Sequence, residues 1–128
     1  IYRLKEVLDL VNLNNIEDLF PADLSGGMRK RVGIARAIVT NPKYVLYDEP
    51  TTGLDPITTD KVCSLIKNIS NKQKQTNIIV THEMKIVNEI VNKVVMIYKG
   101  NIIFEGSPEE LKSSKDNYIK YFISGKKH

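Results

Sequence analysis

Two carboxylates stand side by side where a short apolar run ends: Tyr44-Val45-Leu46-Tyr47 gives way at once to Asp48-Glu49-Pro50. Such a run reads as a buried parallel strand that delivers polar side chains at its C-terminal edge. Because side chains alternate along a strand, the two acids cannot point the same way if extended geometry persists. In a phosphate-handling site the first acid, Asp48, would hold Mg²⁺, usually through water, and the second, Glu49, would orient or deprotonate an attacking water. Taken alone, the pair can also be two solvated acids at a strand end.

Three further groups of residues have chemistry open to them. Leu24-Ser25-Gly26-Gly27 opens a long helical pattern. Its glycines let the backbone approach a ligand closely, and the free N–H groups and dipole of the first turn favour an anion. Ser-Gly-Gly before a helix is also common as no more than a cap and a turn. His82 closes a second apolar run, Asn77 to Thr81, and could donate to a terminal phosphate, although a lone histidine at a strand end is more often structural. His128 is the only other histidine and no thiol falls near it in the pattern, so a zinc site is not expected. Asp55, just ahead of Pro56, reads first as a helix N-cap.

The elements that must position these residues can be read from periodicity. Leu4, Val7, Leu8 and Val11 put one apolar stripe on a first helix of about three turns, ending near Asn14-Asn15. The pattern after Gly27, with Met28, Val32, Ile34, Ala35, Ala37, Ile38 and Val39, predicts a buried helix that breaks at Asn41-Pro42. A turn at Thr51-Thr52-Gly53 leads into a helix from Pro56 towards Asn71, and a helix through Ile86, Val87, Ile90 and Val91 follows the second strand. Lys93 to Tyr98 and Asn101 to Glu105 predict a hairpin joined at Lys99-Gly100. Ser107-Pro108-Glu109-Glu110 is a capping box, and Asp116 to Ile123 predicts a short helix. Strand alternating with helix implies a layered α/β fold with a largely parallel sheet.

Composition bounds the class. A chain of 128 residues that is 41% apolar and 27% charged is ordinary globular material, which excludes disordered and fibrous classes. Its net charge of +4 is spread along the chain apart from Arg29-Lys30-Arg31 and the terminal Lys126-Lys127, a balance that reads as solvated surface and not as a nucleic-acid footprint. Cys63 is the single cysteine, so no internal disulfide can form, and its place in a helical pattern makes it a small core residue. No apolar run approaches the roughly 18 residues needed to span a bilayer, so any membrane role is expected to come through a partner.

The order and spacing of Leu24-Ser25-Gly26-Gly27, Asp48-Glu49-Pro50, Gly53-Leu54-Asp55 and Thr81-His82 resemble the ATP-binding cassette (ABC) ATPase family. The resemblance implies a P-loop NTPase-like α/β fold that binds ATP and Mg²⁺. Leu24, Ser25, Gly26, Gly27 and Met28 would form the signature loop. Asp48 would be the metal-holding acid, Glu49 the catalytic base, Asp55 the D-loop aspartate and His82 the switch histidine. Residues 1–40 would end the helical subdomain and carry the signature helix, 41–106 would form the catalytic core and hairpin, and 107–128 the C-terminal helices. Partners would be a second cassette, bound head to tail, and transmembrane permease subunits. Met28, where many of these proteins have glutamine, and the segment from Asp116 to Gly125 are similar to the ATPases of Mla-type lipid transporters. That likeness implies phospholipid transport, an MCE-domain partner, and a site on the cytoplasmic face of the inner membrane or in a plastid stroma.

Glu83 stands where Asp is usual in the family. No glycine begins the Gly-x-x-x-x-Gly-Lys-Ser/Thr loop whose amides and lysine hold nucleotide phosphates. In the family that loop lies upstream, so the chain is expected to be the C-terminal portion of one such domain, inactive alone. The alternatives are a non-catalytic or split half that lends its signature face to a partner ATPase, or an ABC ATPase for another substrate.

Overall fold

The computed structural model describes residues 2–125; Ile1, Lys126, Lys127 and His128 lie outside the described residues. The chain divides into two compact units, one ending at His82 and one beginning at Glu83. The first contains α1 (Tyr2–Leu10), a 3₁₀ turn (Pro21–Asp23), α2 (Gly26–Ile38), β1 (Tyr44–Asp48), α3 (Pro56–Gln73) and β2 (Thr76–Val80).

Helix α1 stops sooner than its stripe predicts, because Asn12 and Asn15 both take left-handed backbone, at φ 53° and 59°. Asparagine tolerates that conformation better than most residues, so the chain leaves the helix there. Val7, Leu8 and Val11 are buried while Leu4 is exposed. The ends of α1 and α2 are tied by exchanged arginines. Arg31 on α2 donates to the carbonyls of Asn12 at 2.8 Å and Val11 at 3.5 Å, and Arg3 on α1 donates to those of Val39 at 3.2 Å and Ile38 at 3.3 Å. Each guanidinium satisfies carbonyls that a helix end leaves without partners, and puts positive charge at the negative pole of the dipole.

Strands β1 and β2 pair in parallel, from Tyr44 opposite Thr76 to Asp48 opposite Val80. Both were expected to be buried, and this is only half correct. Val45 and Tyr47 are buried, with Ile34, Ile38, Ile66 and Ile69 also in the core of this unit, whereas Tyr44, Leu46, Ile78 and Val80 are 54–73% exposed. Parallel strands normally carry helices on both faces; here only one face is covered among the described residues. Helix α2 is likewise one-sided, with Ile34, Ala35 and Ile38 buried but Ala37 exposed. Cys63 is buried on α3, as expected.

The second unit holds α4 (Met84–Glu89), β3 (Val94–Tyr98), β4 (Asn101–Gly106), α5 (Pro108–Ser113) and α6 (Asn117–Ser124). Lys99 and Gly100, at φ 47° and 79°, make the two-residue turn that joins the antiparallel hairpin β3–β4. Ser107 and Glu110 close the capping box in both directions, at 3.2 and 2.7 Å, and Asp116 caps α6 through Tyr118 N and Ile119 N. The Tyr98 and Tyr118 rings lie 4.1 Å apart, fixing α6 to the hairpin. No helix among the described residues is long and apolar enough to cross a membrane.

The one-sided core makes a direct expectation. Ile66→Ala, at a fully buried position, should destabilise by about 2–5 kcal/mol in denaturant titrations, and Leu46→Ala by no more than about 0.5 kcal/mol. Equal losses would show that Leu46 is covered in solution.

Candidate functional site

The site is built where β1 and β2 end together. Past the paired Asp48 and Val80, the ladder closes with a bond from Glu49 N to the Val80 carbonyl at 2.9 Å. Glu49 then turns into left-handed backbone at φ 46°, a conformation that costs a non-glycine residue roughly 1–2 kcal/mol. The extended geometry assumed for the two acids therefore stops at Asp48.

Contacts on both ends of Glu49 hold it there. Its carbonyl accepts from Lys30 Nζ at 3.2 Å and from Thr52 N at 3.4 Å. Its carboxylate accepts from His82 Nδ1 at 2.7 Å on Oε1, and from the hydroxyls of Thr52 at 3.1 Å and Thr81 at 3.3 Å on Oε2. Because a carboxylate can only accept, this contact puts a proton on His82 Nδ1. The hydrogen bond from His82, helped by the threonine hydroxyls and the imidazole's charge, holds the Glu49 carboxyl below the usual carboxylate range. The pair is open to solvent, with the His82 and Glu49 side chains 68% and 33% exposed, so its contribution to stability is small.

Asp48 presents an exposed carboxylate at the end of β1. No group of three His, Cys, Asp or Glu side chains gathers among the described residues. One acid completed by water and substrate phosphate is a donor set that suits Mg²⁺, which keeps several waters and takes few protein ligands.

The glycine loop is fixed from the other side. Ser25 caps α2, its Oγ accepting from Met28 N at 3.2 Å, and its hydroxyl proton remains available for an anion. Arg29 reaches back to the Leu24 carbonyl. A Cβ on Gly27 would lie 2.7 Å from Thr58 Cγ2, so only glycine lets the loop sit this close to the first turn of α3. Asp55 caps that turn, accepting from Thr58 N at 3.0 Å. Thr58 is also the first cause holding its carboxyl below the usual range. The structure thus brings Gly27 against Thr58, beside the Asp55 cap, and Glu49 against His82, with Lys30 reaching from α2 to Glu49.

Sequence reasoning missed Lys30, Thr52, Thr81 and the arginines beside Lys30, having taken Arg29-Lys30-Arg31 as solvated charge. In fact each donates to a backbone carbonyl. A signal was present: three consecutive helical residues span roughly 200° of arc, so they cannot all face the same solvent side.

Two expectations follow from this geometry. Gly27→Ala should destabilise by about 1–3 kcal/mol through overpacking, and Thr58→Ser, which deletes Cγ2, should recover most of that loss; an additive double variant would refute the contact. Because the Glu49 value is depressed on folding, its stabilisation is present above the unfolded carboxylate value and is lost as pH falls through the folded one. In metal-free buffer, Glu49→Gln should therefore lower the neutral plateau slightly and flatten part of the acid limb of stability, so that the two proteins converge at low pH.

The chain matches the ABC transporter family profile over residues 2–52. It is 42% identical over 123 residues to the methionine import ATP-binding protein MetN 1 of Staphylococcus aureus, a match that covers 95% of this chain and 36% of that one. A solved ATP-binding cassette of an ABC transporter in its ADP conformation superposes with a TM-score of 0.83 at 28% identity, over 98% of this chain and 50% of its own. A dimeric cassette in a post-hydrolysis state, bound to ADP and Pi, gives 0.72 at 30% identity, over 84% and 46%. The α/β fold with its parallel strand pair is the fold of these cassettes. The chain spans about a third of the length of the curated relatives it matches.

Proposed function

We propose that this chain is part of an ABC transporter ATP-binding domain and that it supplies the signature loop, the metal-holding acid and the catalytic base of an ATP-hydrolysing transporter subunit. Both compact units then belong to one cassette. The observation that carries the reading is the Glu49–His82 contact of 2.7 Å at the end of β1.

The proposed roles follow from the contacts. A carboxylate offers roughly four acceptor sites, and Glu49 has three side-chain donors on it. One site is left to accept a proton from water attacking the γ-phosphate, while His82 and the threonines keep the group ionised and aimed. His82 would also act as the switch histidine at the γ-phosphate. Asp48 would hold Mg²⁺, which neutralises charge developing on the phosphates. Leu24, Ser25, Gly26, Gly27 and Met28 would meet the nucleotide of a second, head-to-tail cassette through the start of α2, with Asp55 lining the same junction. The phosphate-holding loop would come from sequence beyond these 128 residues, and transmembrane permease subunits would couple closure to transport.

For the cargo, the relatives named for methionine import favour a small solute such as an amino acid. They do not support the phospholipid reading, and the MCE-domain partner and plastid location go with it. The contact shown for Met28 is that of its backbone amide with the Ser25 cap. Identifying the permease that co-purifies with the complete protein tests this part: an MCE-associated permease would restore the lipid reading. The place proposed is peripheral, on the cytoplasmic face of the membrane that holds the permease.

In the complete cassette, Glu49→Gln should bind ATP within about twofold of the parent and lose about 10²-fold or more in turnover. The 128-residue chain alone should show no ATP binding by calorimetry. Turnover of Glu49→Gln at the parent's rate would remove Glu49 from the role of base.

A further inference from the structure

We propose that Lys30 is a positioning residue that ties the signature helix to the catalytic base; this rests on the reading of Glu49 as that base. Lys30 lies one helical turn beyond Gly26 on α2, partly buried, and its ammonium donates to the Glu49 carbonyl at 3.2 Å. That carbonyl belongs to the residue whose backbone is left-handed, at φ 46°. The conformation is unfavourable for glutamate and persists only where its surroundings hold it. The remaining contact on the same carbonyl is the longer one from Thr52 N, at 3.4 Å.

Rotation of the Glu49 peptide would swing the carboxylate off His82, Thr52 and Thr81, so a charged donor on its oxygen also sets the direction of the side chain. The donor is carried by the helix that begins at the glycine loop. A shift of α2 when that loop engages nucleotide is therefore passed to the base through one side chain. The effect of Lys30 runs through the orientation of Glu49.

The test uses the complete cassette. Lys30→Met keeps the length and apolar stem and removes the donor; Lys30→Arg keeps a donor. For Lys30→Met, kcat should fall about tenfold with the KM for ATP within about twofold, and Lys30→Arg should restore most of the rate. The melting temperature of both variants should stay within about 2 °C of the parent. An unchanged kcat for Lys30→Met overturns the proposal. So does a loss of kcat and KM together with a lowered melting temperature that Lys30→Arg does not rescue, which marks a merely structural tie. Glu49→Gln in the same series separates the two claims: if it hydrolyses ATP at the parent's rate, the assignment of the base has failed, and the role of Lys30 fails with it.

Discussion

The bond from Glu49 N to the Val80 carbonyl is the constraint on which the site depends. It is the last rung of a parallel ladder, and a parallel ladder brings the C-terminal ends of both strands to the same edge. Whatever follows β1 therefore meets whatever follows β2. Thr81 and His82 come directly after Val80, so both reach Glu49 with no loop to position them. The left-handed turn at Glu49 completes the arrangement. It takes the second acid off the strand's alternation and leaves Asp48 as the last extended residue, so adjacent carboxylates acquire separate environments.

A second theme is the use of cations as donors to backbone. Arg3, Arg29, Lys30 and Arg31 all reach carbonyl oxygens. Two of these contacts cap helix ends, one holds the loop at Leu24, and one holds Glu49. Charge used this way positions backbone and is not free to join a basic patch. It also means that α2 is fixed at its start, along its middle and at its end by side chains of one type, with the glycine loop held between Arg29 and Thr58.

What could be read from the sequence was what local chemistry decides. Ser25, Asp55, Ser107 and Asp116 were expected at helix starts and cap them, because a side-chain oxygen and the next few amides suffice. The hairpin turn at Lys99-Gly100 is of the same kind. What depends on the rest of the fold was not legible. An apolar run such as Tyr44 to Tyr47 says that a strand can be buried, but not how many of its faces find cover, and Leu46 is 73% exposed. Glutamate before proline is a poor candidate for left-handed backbone, since Pro50 argues for extended geometry at the preceding residue. The ladder rung, Lys30 on α2 and the two residues that follow β2 support the turn together with Thr52, and all but Thr52 are distant in sequence.

In the proposed reading the site has two tasks, and they are divided between different stretches of chain. Orientation of the base is accomplished within the unit ending at His82, by side chains and carbonyls that are all present. Retention of the nucleotide phosphates needs a loop that the 128 residues do not contain. The interactions that aim Glu49 are made by the chain's own residues and, with Glu49 as the proposed base, would belong to the pre-organised part of catalysis. Binding energy from the phosphate loop would add affinity without having to build the base. A site divided this way would allow turnover and affinity to be altered independently, because the residues proposed to govern each lie on different stretches of chain.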